Sequence, residues 1–328
     1  MNTIIFSPSP HIHTPRTTGG AMRHVLIALL PAVFCALYYF GLPALCVLAV
    51  SVLSCVAVEW AVTRYMLRRP STIGDCSAIL TGVLLALNLP ANLPLWIVAV
   101  GAVVAIGIAK MAFGGLGCNI FNPALVGRVF LLISFPVAMT TWPLPDPGFG
   151  DADGATGATM LSMMATMTEG VTGASAPAAL VTMPGDTQLF FGNVGGSMGE
   201  TSAAAILIGL VYLLVMRVIR IDIPLAVVLG FSAIELLAGA NPLTGVISGG
   251  LLLGAVFMAT DYVTSPMTRS GAWLYGILIG IITASIRLWG SYPEGVSFAI
   301  LVMNGATPLI NRYIRPTRFS PARKEAKA

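Results

Sequence analysis

The 328 residues are 56% hydrophobic and only 9% charged, with a formal net charge of +4, where an ordinary soluble domain carries about 25% charged side chains. So few charges cannot solvate the surface of a chain this long, which excludes a soluble globular protein and leaves the bilayer as the matching solvent. The 35 glycines and 22 prolines exceed what simple anchors need and suit helices that approach closely or break inside a membrane.

In chain order, residues 1–22 open with "MNTIIFSPSPHIHTPRTTGG", which lacks the layout of a signal peptide and reads as a polar cytoplasmic tail. Stretches able to cross roughly 30 Å of hydrocarbon follow. Residues 23–139 hold five: Arg23 to Phe40, Leu42 to Thr63, Cys76 to Leu89, Pro94 to Met111 and Asn122 to Met139. The third is short and ends in "LNLPANLP", the mark of a broken or half-membrane helix. Residues 140–200 form a long polar loop. Residues 201–312 hold five more: Thr201 to Val218, Ile223 to Ala240, Leu243 to Asp261, Gly271 to Leu288 and Val296 to Arg312. A basic tail, 313–328, closes the chain. The expected fold is an all-α polytopic membrane protein with about ten transmembrane helices.

Orientation follows from lysine and arginine. With the N-terminus inside, fifteen of the seventeen basic residues fall on inner segments; Arg287 falls outside and Arg128 lies within the fifth span. The loop 140–200 has no lysine or arginine and carries Asp146, Asp151, Asp153, Glu169, Asp186 and Glu200. Both termini are therefore expected in the cytoplasm and the loop in the periplasm, the chain being multi-pass in a cell inner membrane. "ILTGVLLALNLP" (Ile79 to Pro90) matches the start of "VISGGLLLGAVFMATDYVTSP" (Val246 to Pro266), and "NPALVGR" (Asn122 to Arg128) echoes "TPLINR" (Thr307 to Arg312). These matches imply two five-helix repeats, and an odd number of spans forces the second to be inverted.

Five cysteines include no CxxC pair and read as small buried hydrophobes. Three histidines, all before residue 25, argue against a haem held between helices. No strand followed by GxGxxG and a helix suggests a nicotinamide site, and no cysteine cluster suggests iron–sulfur. No metal site and no nucleic-acid partner are expected.

The loop contains "DADGATGATML", Asp151 to Leu161. Its small residues suit a flexible connector. The other reading is a point of attachment, but a threonine hydroxyl is a poor nucleophile without a base, and no histidine or lysine lies nearby in sequence. If Thr156 or Thr159 reacts, another protein must supply the activation.

"DGATGAT", Asp153 to Thr159, resembles the flavinylation motif of the Rnf and Nqr respiratory complexes. "GDCSAILTGVLLALNLP", "GGLGCNIFNPALVGR", "FFGNVGGSMGETS" and "ATDYVTSP" extend the resemblance to the RnfD/NqrB family over essentially the whole chain. The start lacks the long N-terminal extension expected of NqrB, which favours the RnfD side. The resemblance implies one covalent FMN, joined through its phosphate to Thr159, with Asp153, Thr156, Gly157 and Ala158 completing the motif. It also implies a flavin transferase for maturation. Gly157 and Ala158 would keep the approach to Thr159 open in that enzyme's active site.

The resemblance further implies a machine that passes electrons between ferredoxin and NAD and couples this to Na+ or H+ translocation. The partners would be the other Rnf membrane and flavin/iron–sulfur subunits, together with membrane lipid. This chain would be a subunit of the oxidoreductase, incomplete alone. Relatives are associated with non-covalent riboflavin, and the region of Asn122 and Arg128 is the expected place for such a second flavin.

Glu59, Glu235 and Asp261 lie at or near membrane depth, where carboxylates are costly and default to function. Glu235 and Asp261 are the ion-pathway candidates; for each, a structural role at helix ends stands beside the ionic one. "FGGLGCNIFNPA" (Phe113 to Ala124) reads as a tight turn or as backbone amides facing a phosphate or flavin. Glu200 and Thr201 offer a polar start to the sixth span, and Phe190, Phe191 and Asn193 are candidates to dock the flavin. The rival function is a stand-alone channel or secondary transporter for a small polar solute, which inverted halves suit equally.

Overall fold

The computed structural model describes residues 17–68, 72–145, 156–157, 185–192, 194–290 and 294–315. Asp153, Ala158, Thr159 and Asn193 lie outside them. The described chain is helical apart from one two-residue ladder. Three helical stretches, Thr18–Met66, Leu95–Phe113 and Arg269–Trp289, are long and apolar enough to cross a membrane; Ser77–Leu87, Pro123–Ser134 and Ala203–Val215 are shorter apolar helices.

Helix α1, Thr18–Ala61, starts at Thr17, whose hydroxyl accepts from Gly20 N. A straight helix of its 44 residues would run about 66 Å, yet Thr17, Thr18 and Thr63 line the same pocket. The chain therefore doubles back, and the reversal is at Gly41 (φ 58°, ψ −139°), a conformation that glycine adopts at no steric cost. The two arms answer to the first two expected spans. Each buries a stripe at helical spacing, Ala28, Ala32 and Ala36 in the first and Val47, Ser51, Cys55 and Glu59 in the second, while Leu30, Phe34, Leu42 and Leu53 stay exposed. Small residues on the buried stripes let backbones touch: a Cβ on Gly82 would lie 2.7 Å from Val52 Cα, and one on Gly209 2.4 Å from Ala28 O.

Helix α2, Ser77–Leu87, is short, and the "LNLP" break follows it as expected. Helix α3, Leu95–Val103, continues as a π-helical stretch Val104–Met111. Helix α4, Pro123–Ser134, starts at Asn122, whose Oδ1 accepts from Ala124 N and Leu125 N, with proline at the position where no N–H is needed. The fifth expected span does not run on to Met139. Phe135 leaves the helical region (φ −131°, ψ 58°) and Pro136 opens a separate turn, α5, Pro136–Met139, because the residue before proline is driven out of the α conformation. Strands β1, Trp142–Pro143, and β2, Thr156–Gly157, then pair antiparallel.

After α6, Asp186–Phe191, residues 194–202 make a turn over the end of α2. Gly199 N donates to Leu87 O at 2.7 Å and Met198 N to Leu89 O at 3.3 Å, meeting carbonyls that a helix end leaves unpaired. Helix α7, Ala203–Val215, is capped by Ser202, which accepts from Ala205 N. The expected polar start at Glu200 and Thr201 is thus corrected: Ser202 has the extended backbone of an N-cap, and Glu200 turns inward instead. Helix α8, Asp222–Leu237, packs on α11, Arg269–Trp289. Glycines alternate across that contact: a Cβ on Gly280 would meet Val227 O at 2.3 Å, and one on Gly230 would meet Ile277 O at 2.4 Å.

The eighth expected span is broken. Helix α9, Pro242–Ile247, ends at extended Ser248 (φ −80°, ψ 139°), Gly249 sits at φ 69°, and α10, Leu251–Leu253, runs on as a π-helical stretch Gly254–Met258. The expectation placed a break only in the third span. Gly249 and Gly250 supply this second one, since glycine weakens a helix interior. Helix α12, Val296–Tyr313, completes the described chain.

Candidate functional site: buried charge where the two halves meet

Helix α4 places Arg128 on its inner face, 4% exposed. A guanidinium that deep needs several acceptors. Its Nη1 donates to Asn88 Oδ1 at 2.7 Å, its Nη2 pairs with Glu294 Oε2, and Glu200 Oε1 stands 3.6 Å away. Asn88 is held in turn, its Nδ2 donating to Leu84 O at 2.6 Å and to Met258 Sδ at 3.7 Å. One side chain of α4 thus ties the end of α2 to the turn before α7 and to the segment before α12.

Arg287, on the last turn of α11, faces the broken segment. It donates to Gly245 O at 2.7 Å and to Ser248 O at 3.3 Å, and its Cζ lies 5.0 Å from the centre of the Phe231 ring. These carbonyls are the ones α9 leaves open where it stops. Glu235, on α8, lies against the same segment: a Cβ on Gly245 would be 3.2 Å from its Oε2. Glu235 is buried two residues before the end of α8, and Arg287 is its cationic neighbour.

A second buried pair lies in the first half. Lys110, at the end of the π-helical stretch after α3, donates to Glu59 Oε2 at 2.5 Å and to Ser77 Oγ at 2.7 Å; Thr72 Oγ1 donates to Glu59 Oε1 at 2.6 Å. Both charged side chains are at most 3% exposed. Lys110, one of the fifteen basic residues counted on inner segments, is thus buried in an ion pair. π-helical stretches recur at functional sites.

Asp261 caps the turn after Met258, accepting from Val263 N at 3.5 Å and Thr264 Oγ1 at 3.3 Å. It lines one pocket with Lys110, Ser77, Asn119 and Asn122. Beside it a larger cavity, about 790 Å³, is walled by Gly114, Gly115 and Gly117 together with His24, Asp75 and Arg217. The three loop glycines all sit at positive φ, between 89° and 116°. Asn122 Nδ2 donates to Met258 O at 3.3 Å, and the Asn304 amide bridges Tyr275 Oη at 2.6 Å and Asn122 N at 3.1 Å. Asn122 and Arg128 are therefore not one site. Asn122 faces the pocket with Asp261, and Arg128 faces Asn88 and the two glutamates.

Only the middle of the loop motif is described. The backbones of Thr156 and Gly157 pair with Pro143 and Trp142, and Gly195 in the turn before α7 packs near Pro143 O. Phe191 is exposed and stacks edge-on with Phe190 at 5.4 Å. Among the described residues no three His, Cys, Asp or Glu side chains gather as a metal centre. The sequence reading missed the clamp made by Arg287. Its one signal was being the lone basic residue outside the span on the acidic side of the charge count.

A family model described as the NQR2, RnfD, RnfE family matches residues 5–320. The chain is 46% identical to the D subunit of the Na(+)-translocating ferredoxin:NAD(+) oxidoreductase complex of Acetobacterium woodii, over 98% of each chain. It is 44% identical to the D subunit of the ion-translocating oxidoreductase complex of Stutzerimonas stutzeri, over 91% of each. It is 38% identical to the D subunit of the proton-translocating ferredoxin:NAD(+) oxidoreductase complex of Clostridium ljungdahlii, over 98% of each.

Proposed function

Because the chain belongs to the NQR2, RnfD, RnfE family, we propose that it is the flavin-bearing membrane subunit of an Rnf-type complex. In this reading one FMN is esterified to Thr159 by a flavin transferase, and the subunit passes electrons between the ferredoxin and NAD branches while the complex moves Na+ or H+. The observation that carries the reading is "DGATGAT" at Asp153 to Thr159, a motif with no use in a passive pore. The fit is local. Thr156 and Gly157 are extended and pinned by the Trp142–Pro143 strand, so the acceptor hydroxyl two residues on would be offered from an anchored stem.

Bound FMN would supply one- and two-electron chemistry. The protein's share is to hold it at high effective concentration beside the turn 194–202, whose Gly195 packs on the same strand. Riboflavin, where present, would suit the cavity walled by the glycines at 114, 115 and 117, which is roomy and has both apolar walls and polar groups. Neither Asn122 nor Arg128 lines that cavity; Asn122 lines the adjoining smaller pocket with Asp261.

The rest of the architecture belongs to the same proposal. Ten crossings arise when the two arms of α1 and the broken helices α2 and α9–α10 are each counted as a span. The two breaks, after Leu87 and at Ser248, both fall in the third span of their half, which is compatible with an inverted repeat, although Ser248 matches Thr81 inside α2 and not the break after it. The charge count supports cytoplasmic termini and a periplasmic loop in an inner membrane.

The test is a denaturing gel viewed under ultraviolet light, with the chain made in cells that contain an active flavin transferase. The expected result is a fluorescent band that vanishes in Thr159→Ala and survives in Thr156→Ala. A dark wild-type band would favour a channel or secondary transporter without redox chemistry.

A further inference from the structure

Where the turn 194–202 meets the broken segment, Gly196, Glu200, Thr201, Ser248, Gly249 and Glu294 enclose a cavity of about 20 Å³, room for one water-sized body. Glu200 lines it with a side chain only 5% exposed. Among the described residues its Oε1 has no hydrogen-bond partner. The nearest guanidinium nitrogen, on Arg128, is 3.6 Å away, beyond hydrogen-bonding distance.

The charges around the cavity do not balance. Arg128 and Arg287 face three carboxylates, Glu200, Glu235 and Glu294, so two positive charges against three negative leave one negative charge over. Arg128 is committed to Glu294 and Asn88. Arg287 spends both terminal nitrogens on the Gly245 and Ser248 carbonyls. Among the described residues, Glu200 is the carboxylate lining the cavity whose Oε1 has no hydrogen-bond partner, and an uncompensated charge away from water is expensive.

We propose that Glu200, Glu294 and Ser248 form a binding site for one small monovalent cation of the sodium class. The available donors are carboxylates, hydroxyls and the carbonyls of a chain unwound at Ser248 and Gly249. Such hard oxygen ligands suit alkali and alkaline-earth cations and not softer metals. One positive charge brings the cluster to neutrality; a divalent ion would overshoot it beside two arginines. The site adjoins the turn that packs on Pro143, the strand partner of Thr156, so a cation here sits beside the stem of the flavin motif. Its role in transport rests on the function proposed above, while its existence does not.

The test measures radiolabelled sodium binding to the purified full-length chain in lipid nanodiscs, by scintillation proximity. The expected result is one saturable site, displaced by unlabelled sodium but not by choline. Glu200→Gln should weaken it at least about tenfold, since a charged ligand is lost. Ser248→Ala should weaken it by a smaller factor while leaving every charge in place, and Asp75→Asn should leave it unchanged. Binding that is absent in the wild type, or unaltered by both Glu200→Gln and Ser248→Ala, overturns the site. The same samples report flavin separately. A dark chain that binds sodium keeps the site and loses the flavin reading; a fluorescent chain that binds none does the reverse.

Discussion

Lys110 Nζ lies 2.5 Å from Glu59 Oε2, and neither side chain is more than 3% exposed. Each ion is deeply buried, so each depends on the other. Lys110→Met alone should cost about 3–5 kcal/mol, because it strands Glu59, whereas Lys110→Met combined with Glu59→Met should recover much of that loss. Unfolding midpoints of the two variants in detergent would measure the difference. Equal midpoints for single and double variants would mean the pair is not coupled.

Gly280 touches the backbone of α8, with a Cβ there meeting Val227 O at 2.3 Å. Gly280→Val should push α8 and α11 apart and cost at least about 1–3 kcal/mol. The measurement is the fraction of monodisperse protein after heating. Full tolerance would contradict the glycine-to-backbone contact.

Arg287 holds the carbonyls of Gly245 and Ser248 at 2.7 and 3.3 Å. Arg287→Met should leave the Ser248 carbonyl unmet and the Gly245 carbonyl with only the Ser248 hydroxyl, at 3.3 Å, and destabilise by about 1–3 kcal/mol. Faster hydrogen exchange should be confined to the segment from Pro242 to Leu253, with α2 unaffected. Uniform exchange across both would show that the clamp has no local action.

Reporter fusions placed between residues 150 and 199 should behave as extracytoplasmic, and fusions at the C-terminus as cytoplasmic. The loop has no lysine or arginine while the last sixteen residues carry several, and this asymmetry sets orientation. Inverted reporter activity would contradict the topology.

Periodicity and punctuation made much of the helical frame legible. Gly41 between two apolar runs marked the reversal of α1, and "LNLP" marked the break after α2. The break at Ser248 was hidden because Gly249 and Gly250 lie among leucines that keep the run hydrophobic. Partnerships across the chain were hidden for a different reason. Glu200 follows a glycine-rich turn, and nothing local tells whether its carboxylate caps the next helix or points at Arg128, 72 positions earlier in the chain. Nothing local to Lys110 signalled its ion pair, because its partner, Glu59, belongs to another helix. Thr159 was legible only through its motif, since a bare threonine carries no sign of the chemistry proposed for it.

The most direct measurement is the intact mass of the purified chain, produced together with a flavin transferase. The account predicts a mass greater than that of the bare polypeptide by one FMN joined with loss of one water, and fragment masses that put the increment on Thr159. An unmodified mass, or an increment carried by Thr156 instead, would contradict it.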